Sequence, residues 1–202
     1  CKSTTILCTL LHNENLIMKL ENYIHVENDA ISTDFCDEII KEYENSENWV
    51  PGTVNNYEIA QSRKCEAIYL SSDEVIKDSD IRKNIDHKLF DIINNSLEKY
   101  IKKYGAGYIN IKGDTGYILL KYKSGDYVRE HVDTWSGELR TLSCSLILND
   151  DYEGGEIAFF DGKIKPLLKK GDLCIFPSSF TYPHQVTPVT SGIRYAVITW
   201  IR

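Results

Sequence analysis

PHQVTPVTSGIRYAVITW, residues 183–200, is the stretch whose reading decides the fold. Two runs rich in Val, Ile, Tyr and Thr flank Thr190-Ser191-Gly192, where a glycine can take the left-handed conformation that closes a three-residue hairpin turn. The register that follows pairs Val189 with Ile193, Pro188 with Arg194, Val186 with Ala196 and His184 with Ile198. Side chains alternate along a strand, so His184, Val186, Pro188, Arg194 and Ala196 then share one face. Working upstream, the same texture predicts strands at 115–123, 126–133, 141–149, 155–160, 164–168, 172–177, 184–189 and 194–201, separated by Gly, Asp, Asn and Pro. Short strands with tight turns and no intervening helices indicate an antiparallel sandwich or jelly roll.

The N-terminal half reads differently. Ser32 to Glu47 begins with capping residues and places Phe35, Ile39, Ile40 and Tyr43 at helical spacing. A longer helix is predicted over Asp80–Tyr104, with an apolar stripe of Ile81, Ile85, Leu89, Ile92, Ile93, Leu97, Tyr100 and Ile101 and Gly105 as its stop. Between them, residues 50–64 carry Pro51, Gly52, Asn55 and Asn56 with little periodicity, which predicts a surface loop or an open hairpin. The fold class expected is therefore α+β, with helices backing a jelly-roll core.

Composition narrows the function classes. With 42% hydrophobic and 26% charged residues in 202, the chain has the makeup of one globular domain, and wholesale disorder is excluded. A net charge of -7 argues against a nucleic-acid partner, whose phosphates call for clustered Lys and Arg. The six cysteines form no CxxC pair, which disfavours a thiolate zinc site and suits a reduced, cytoplasmic setting. No stretch approaches the roughly 20 apolar residues of a membrane helix, so no membrane partner is expected. The sole methionine is Met18, so residues 1–17 read as an upstream extension, and 18–202 as a single domain with helical support and a substrate-covering loop in 18–110 and the core in 111–202.

His131 and Asp133 are two apart on a predicted strand and can grasp one ion while Val132 points away. The spacing alone says little, because His12 with Glu14 and His25 with Glu27 repeat it. A second histidine, His184, lies 53 residues on (184 minus 131) at the start of another strand. Two imidazoles and a carboxylate with open positions make the facial set that suits non-haem iron(II), though zinc and nickel take such ligands too. In the hairpin register Arg194 faces the same cavity, roughly 13 Å from the His184 level at ~3.3 Å per residue. An extended Arg covers about half of that, which leaves room for a small dicarboxylate beside Ala196.

These residues resemble the 2-oxoglutarate and iron(II)-dependent dioxygenases, in particular their prolyl 4-hydroxylase-like branch. The resemblance spans roughly 115–202 and is carried by YKSGDYVREHVD (122–133), LILNDDYEGGEIAFF (146–160), KPLLKKGDLCIFPSS (165–179) and the opening stretch. It implies a double-stranded β-helix with iron held by His131, Asp133 and His184, and no catalytic side chain beyond these ligands. It also implies 2-oxoglutarate bound by Arg194 and Tyr122, and ascorbate as reductant. The implied reaction hydroxylates a prolyl residue in a peptide or protein, with succinate and carbon dioxide as coproducts. Tyr127, Arg140 and Trp200 match positions lining the active site or substrate groove, although each also suits a packing or surface role. Residues 50–70, with Arg63 and Tyr69, match a mobile substrate-covering loop. The alternatives are a dioxygenase acting on a free amino acid or small molecule and a non-catalytic, cupin-like metal-binding module.

Overall fold

The computed structural model describes residues 19–52, 62–104, 109 and 111–202. The reading of residues 1–17 as an extension, the centre of the 50–64 segment and Gly105 as a helix stop fall outside them. In chain order the elements are β1 (His25–Glu27), α1 (Thr33–Tyr43), β2 (Val50–Pro51), β3 (Arg63–Lys64), β4 (Glu66–Tyr69), α2 (Asp73–Ile76) and α3 (Asp80–Tyr104). They continue with β5 (Ile118–Tyr122), β6 (Tyr127–His131), β7 (Leu142–Ile147), β8 (Glu153–Gly154), β9 (Ile157–Phe159), β10 (Leu173–Pro177), β11 (His184–Val186), β12 (Val189–Ser191) and β13 (Arg194–Ile201).

Among the described residues the strands form an antiparallel seven-stranded sheet in the order β1-β10-β7-β13-β5-β4-β2 and a four-stranded sheet in the order β3-β6-β11-β9. Alternation along β13 explains how the layers meet. Tyr195, Val197 and Ile201 face α1 and α3 and join Ile39, Tyr43, Ile85, Leu89 and Tyr100 in one apolar core. Arg194, Ala196, Ile198 and Trp200 take the opposite face, toward the smaller sheet. This is a jelly roll with helical backing, as the sequence predicts. Ser32 caps α1, its hydroxyl accepting the Phe35 amide at 3.2 Å. The apolar stripe of α3 is buried from Ile85 to Tyr100, but Ile81 stands 56% exposed in the first turn, before the helix meets the core.

Three expectations fail. First, β11 and β13 do not form a hairpin. β11 pairs with β6 and β9 in the small sheet, and β13 with β5 and β7 in the large one. Gly192 is left-handed, with φ +77°, as the turn requires, but the segment before it pairs with β8 instead, so the chain crosses from one sheet to the other. Second, 164–168 is no strand. Only Ile164 bridges, to Phe159, while Pro166 lacks a ladder donor and Leu167 is 80% exposed. Third, the N-terminal half is more than helical support, since β1 and β4 pair with β10 and β5 and β3 extends the small sheet. Residues 63–69 are thus sheet, not loop.

Candidate active site

His131 ends β6 and Asp133 follows it, while His184 opens β11 directly across the ladder, paired with His131. One ligand atom from each of the three lies within 4.8 Å of the others. Each histidine Nε2 sits 3.4 Å from an Asp133 oxygen, His131 on Oδ1 and His184 on Oδ2. The opposite ring nitrogens point to backbone carbonyls: His131 Nδ1 lies 2.9 Å from the Arg129 oxygen and His184 Nδ1 3.1 Å from the Tyr182 oxygen. A carbonyl can only accept, so each Nδ1 carries the proton and each Nε2 turns a lone pair toward Asp133. Two neutral imidazoles and a carboxylate are the donor set that iron(II) or another divalent ion takes.

Asp133 is 7% exposed, and burial alone would push its carboxyl up. His184, then His131 and the Ser143 hydroxyl outweigh burial and hold it well below the usual carboxylate range. Burial against Phe159 and Phe176 pulls His184 down from its ordinary value, with Asp133 opposing. Ser143 donates to Asp133 Oδ2 at 2.6 Å and shares a second hydrogen bond with Ser178 at 2.7 Å. Neither serine stands out as a motif. Their trace is period 2: Ser143 and Ser145 are polar points on the cavity face of the otherwise apolar β7.

Arg194 shares this cavity despite the failed hairpin, because strand alternation alone puts it on the face of Ile198 and Trp200. It is 2% exposed, and its Nε has no hydrogen-bond partner among the described residues. Tyr122 stands opposite it across the β5–β13 ladder, with the guanidinium 5.1 Å from the ring centre. The Tyr122 hydroxyl bonds Cys65, a neighbour the sequence does not single out, and burial pushes both groups up. A desolvated guanidinium without a carboxylate costs several kcal/mol. A ligand carboxylate placed there would offset that cost. Ala196, expected to leave room beside it, packs with Ile147, Ile157 and Phe176 in the apolar core.

An outer cleft of about 140 Å³ opens beside the triad, between Arg63, Tyr69, Trp135, Arg140 and Trp200. Arg63 lines both this cleft and the Arg194 cavity. Trp200 does the same. Arg140 is held by Glu138, at 2.7 and 3.1 Å, and lies 3.7 Å over the Trp200 ring, so it builds the cleft wall. Tyr127 is turned away. A bulge between Val128 and His131 breaks the alternation, so Val128 faces the cavity and Tyr127 pairs with Lys64 on the other face.

Residues 117–202 match the family model described as the 2OG-Fe(II) oxygenase superfamily. A PKHD-type hydroxylase from Shewanella sp. (strain ANA-3) is 39% identical over 95 residues, which is 42% of this chain and 42% of the relative. The chain thus matches less than half the length of that relative. Among solved structures, a prolyl hydroxylase in complex with a hypoxia inducible factor oxygen degradation domain peptide fragment from Trichoplax adhaerens superposes with a TM-score of 0.72 at 18% identity. That match covers 89% of this chain and 83% of the other. The 2OG complex of a viral collagen prolyl hydroxylase from Paramecium Bursaria Chlorella virus-1 superposes at 0.64 with 20% identity, over 89% and 96%. The shared fold therefore reaches beyond the matched oxygenase segment into the N-terminal strands and helices. No helix of the described residues is long and apolar enough to cross a membrane.

Proposed function

We propose that this chain is an iron(II) and 2-oxoglutarate-dependent dioxygenase that hydroxylates a prolyl residue in a peptide or protein, with residues 18–202 acting as one domain. The observation that carries the proposal is a single cavity with an open two-histidine, one-carboxylate cluster and a buried guanidinium that lacks a partner at Nε. His131, Asp133 and His184 hold the metal. Arg194 takes the far carboxylate of 2-oxoglutarate, and Tyr122 shapes that end of the pocket. Bound iron(II) and 2-oxoglutarate supply the oxidising chemistry, in which decarboxylation to succinate and carbon dioxide accompanies transfer of one dioxygen atom to a substrate C–H bond.

The protein's own part is positioning. The two backbone carbonyls fix the histidine rings, and Ser143 fixes the carboxylate that stands between them. Leu120, Val128, Val186 and Ile198 line the cavity and exclude water from it. Trp135 and Trp200 line the outer cleft, and aromatic walls of this kind suit the ring of a peptidyl proline. Ascorbate serves to keep the iron reduced, and the four free, buried cysteines among the described residues fit a reducing, cytoplasmic compartment. The test is incubation with iron(II), ascorbate, 2-oxoglutarate and a library of proline-containing peptides. Succinate together with a gain of one oxygen on a peptide is expected. Succinate with oxygen on a free amino acid alone overturns the peptide assignment, and no succinate under any condition overturns the enzyme assignment.

A further inference from the structure

Resting on that proposal, we infer that Ser145 is a further cosubstrate-binding residue, whose hydroxyl donates a hydrogen bond to the carboxylate at the metal end of 2-oxoglutarate. The far carboxylate stays with Arg194. The first observation is parity. Ser145 pairs with Ile198 on β13 and with Cys174 on β10, and directly paired residues share a face. Ile198 lines the cavity that holds the triad and Arg194, and Ser145 lines it too. The neighbours Cys144 and Leu146 belong to the other side, the helix-backed core.

The second observation is a hydroxyl with no internal task. Ser145 is 6% exposed, and its side chain makes no hydrogen bond among the described residues. Ser143, two residues earlier on the same face, donates its one proton to Asp133 and therefore accepts from Ser178. Around Ser145 the wall is apolar, built by Leu120, Ile157, Phe176, Val186 and Ile198. A hydroxyl set in such a wall is costly unless a ligand meets it, whereas an alanine there would carry no such cost. Arg194 also brings an unmet donor to this wall, at Nε.

The third observation is order along the cavity. Ser143, Ser145 and Ile147 pair with Trp200, Ile198 and Ala196, so β7 runs from the Asp133 end toward Arg194. Ser145 stands one step beyond the Ser143 level, roughly 7 Å at ~3.3 Å per residue. Ile198 and Arg194 are four residues apart on β13, roughly 13 Å, of which an extended Arg side chain leaning along the strand covers about half. The remainder matches a small dicarboxylate held between guanidinium and hydroxyl. A carboxylate bound to a metal through one oxygen keeps the other free to accept, and the Ser145 hydroxyl donates there.

The test is anaerobic calorimetry of 2-oxoglutarate binding to the iron(II)-loaded chain, compared among the wild type, Ser145→Ala, Ser145→Thr and Arg194→Ala. Ser145→Ala should weaken binding about tenfold, the loss expected for one hydrogen bond to a charged group. Ser145→Thr keeps the donor and should bind clearly more tightly than Ser145→Ala. Iron content after gel filtration should be equal in both. A structural role alone would lower iron content and melting temperature together with affinity, and that pattern would overturn the inference. So would Ser145→Thr binding no better than Ser145→Ala. Wild-type affinity in Ser145→Ala, with Arg194→Ala still weakened, would remove Ser145 and leave the dioxygenase proposal standing. A wild type that binds no 2-oxoglutarate would overturn both. Succinate formation is measured separately: its absence, with Ser145→Ala and Arg194→Ala both weakened, would remove the oxygenase proposal and leave Ser145 in a dicarboxylate site.

Discussion

His25-Val26-Glu27 and His131-Val132-Asp133 carry the same residue pattern, and both begin with a histidine in a strand, but their surroundings give them opposite chemistry. In β1 the His25 ring lies against Tyr100 and Tyr104, its Nδ1 is 3.3 Å from Lys103 Nζ, and Glu27 pairs with Lys99. Two lysines there have already done what a metal would do. At the end of β6 no lysine among the described residues intrudes, and a third side chain able to bind a metal arrives from β11. A metal site is made by what the fold brings across the ladder and by the cations it keeps away, and the spacing within one strand is the smaller part of it.

The comparison breaks most sharply at Asp133. Asp133→Ala removes the proposed carboxylate ligand and leaves two imidazoles facing each other. Iron retention, read by metal analysis after gel filtration, and succinate formation should both fall by more than the roughly 10–100-fold typical when only a ligand's supporting partner is lost. Retained iron would mean the cluster is as inert as its counterpart in β1. Arg194→Ala comes next. Losing one member of a buried charge pair costs about 2–5 kcal/mol, so the 2-oxoglutarate concentration for half-maximal rate should rise by roughly 30-fold or more while iron content holds.

Ser143→Ala tests the support under Asp133. With the 2.6 Å bond gone, the apparent iron affinity should weaken by about 10–100-fold, and the fold should survive. An unchanged affinity would assign the Ser143–Asp133 bond to packing alone. His25→Ala is the matching control on the other strand. It removes two ring contacts worth about 0.5–1.5 kcal/mol each, so the melting temperature should drop by a few degrees and iron content should not move. Loss of iron in that variant would erase the distinction between the two strands.

Arg194 reaches the cavity by alternation along β13 and not by the β11–β13 hairpin through which the sequence placed it there, and the two-histidine, one-carboxylate grouping was legible because chemistry limits which residues suit a divalent ion. The pairing of β11 with β13 was not. A left-handed glycine between two apolar runs is equally compatible with a hairpin and with a crossing between sheets, and only competition from β5, β6, β7 and β9 decides between them. The estimate of the His184–Arg194 distance rested on that hairpin and falls with it. Tyr127 was misplaced for a similar reason, since a bulge is a property of two strands together and leaves no mark in one. Ser143 was invisible because serine on a strand is common, and its importance comes only from standing beside Asp133.

Anaerobic calorimetric titration of 2-oxoglutarate into the protein loaded with iron(II) tests the central claim most directly. One molecule should bind per chain, binding should weaken strongly when the metal is left out, and Arg194→Ala should weaken it again with the metal in place. Binding that is indifferent both to the metal and to Arg194 would contradict a cavity in which the triad and the buried guanidinium hold the two ends of one ligand.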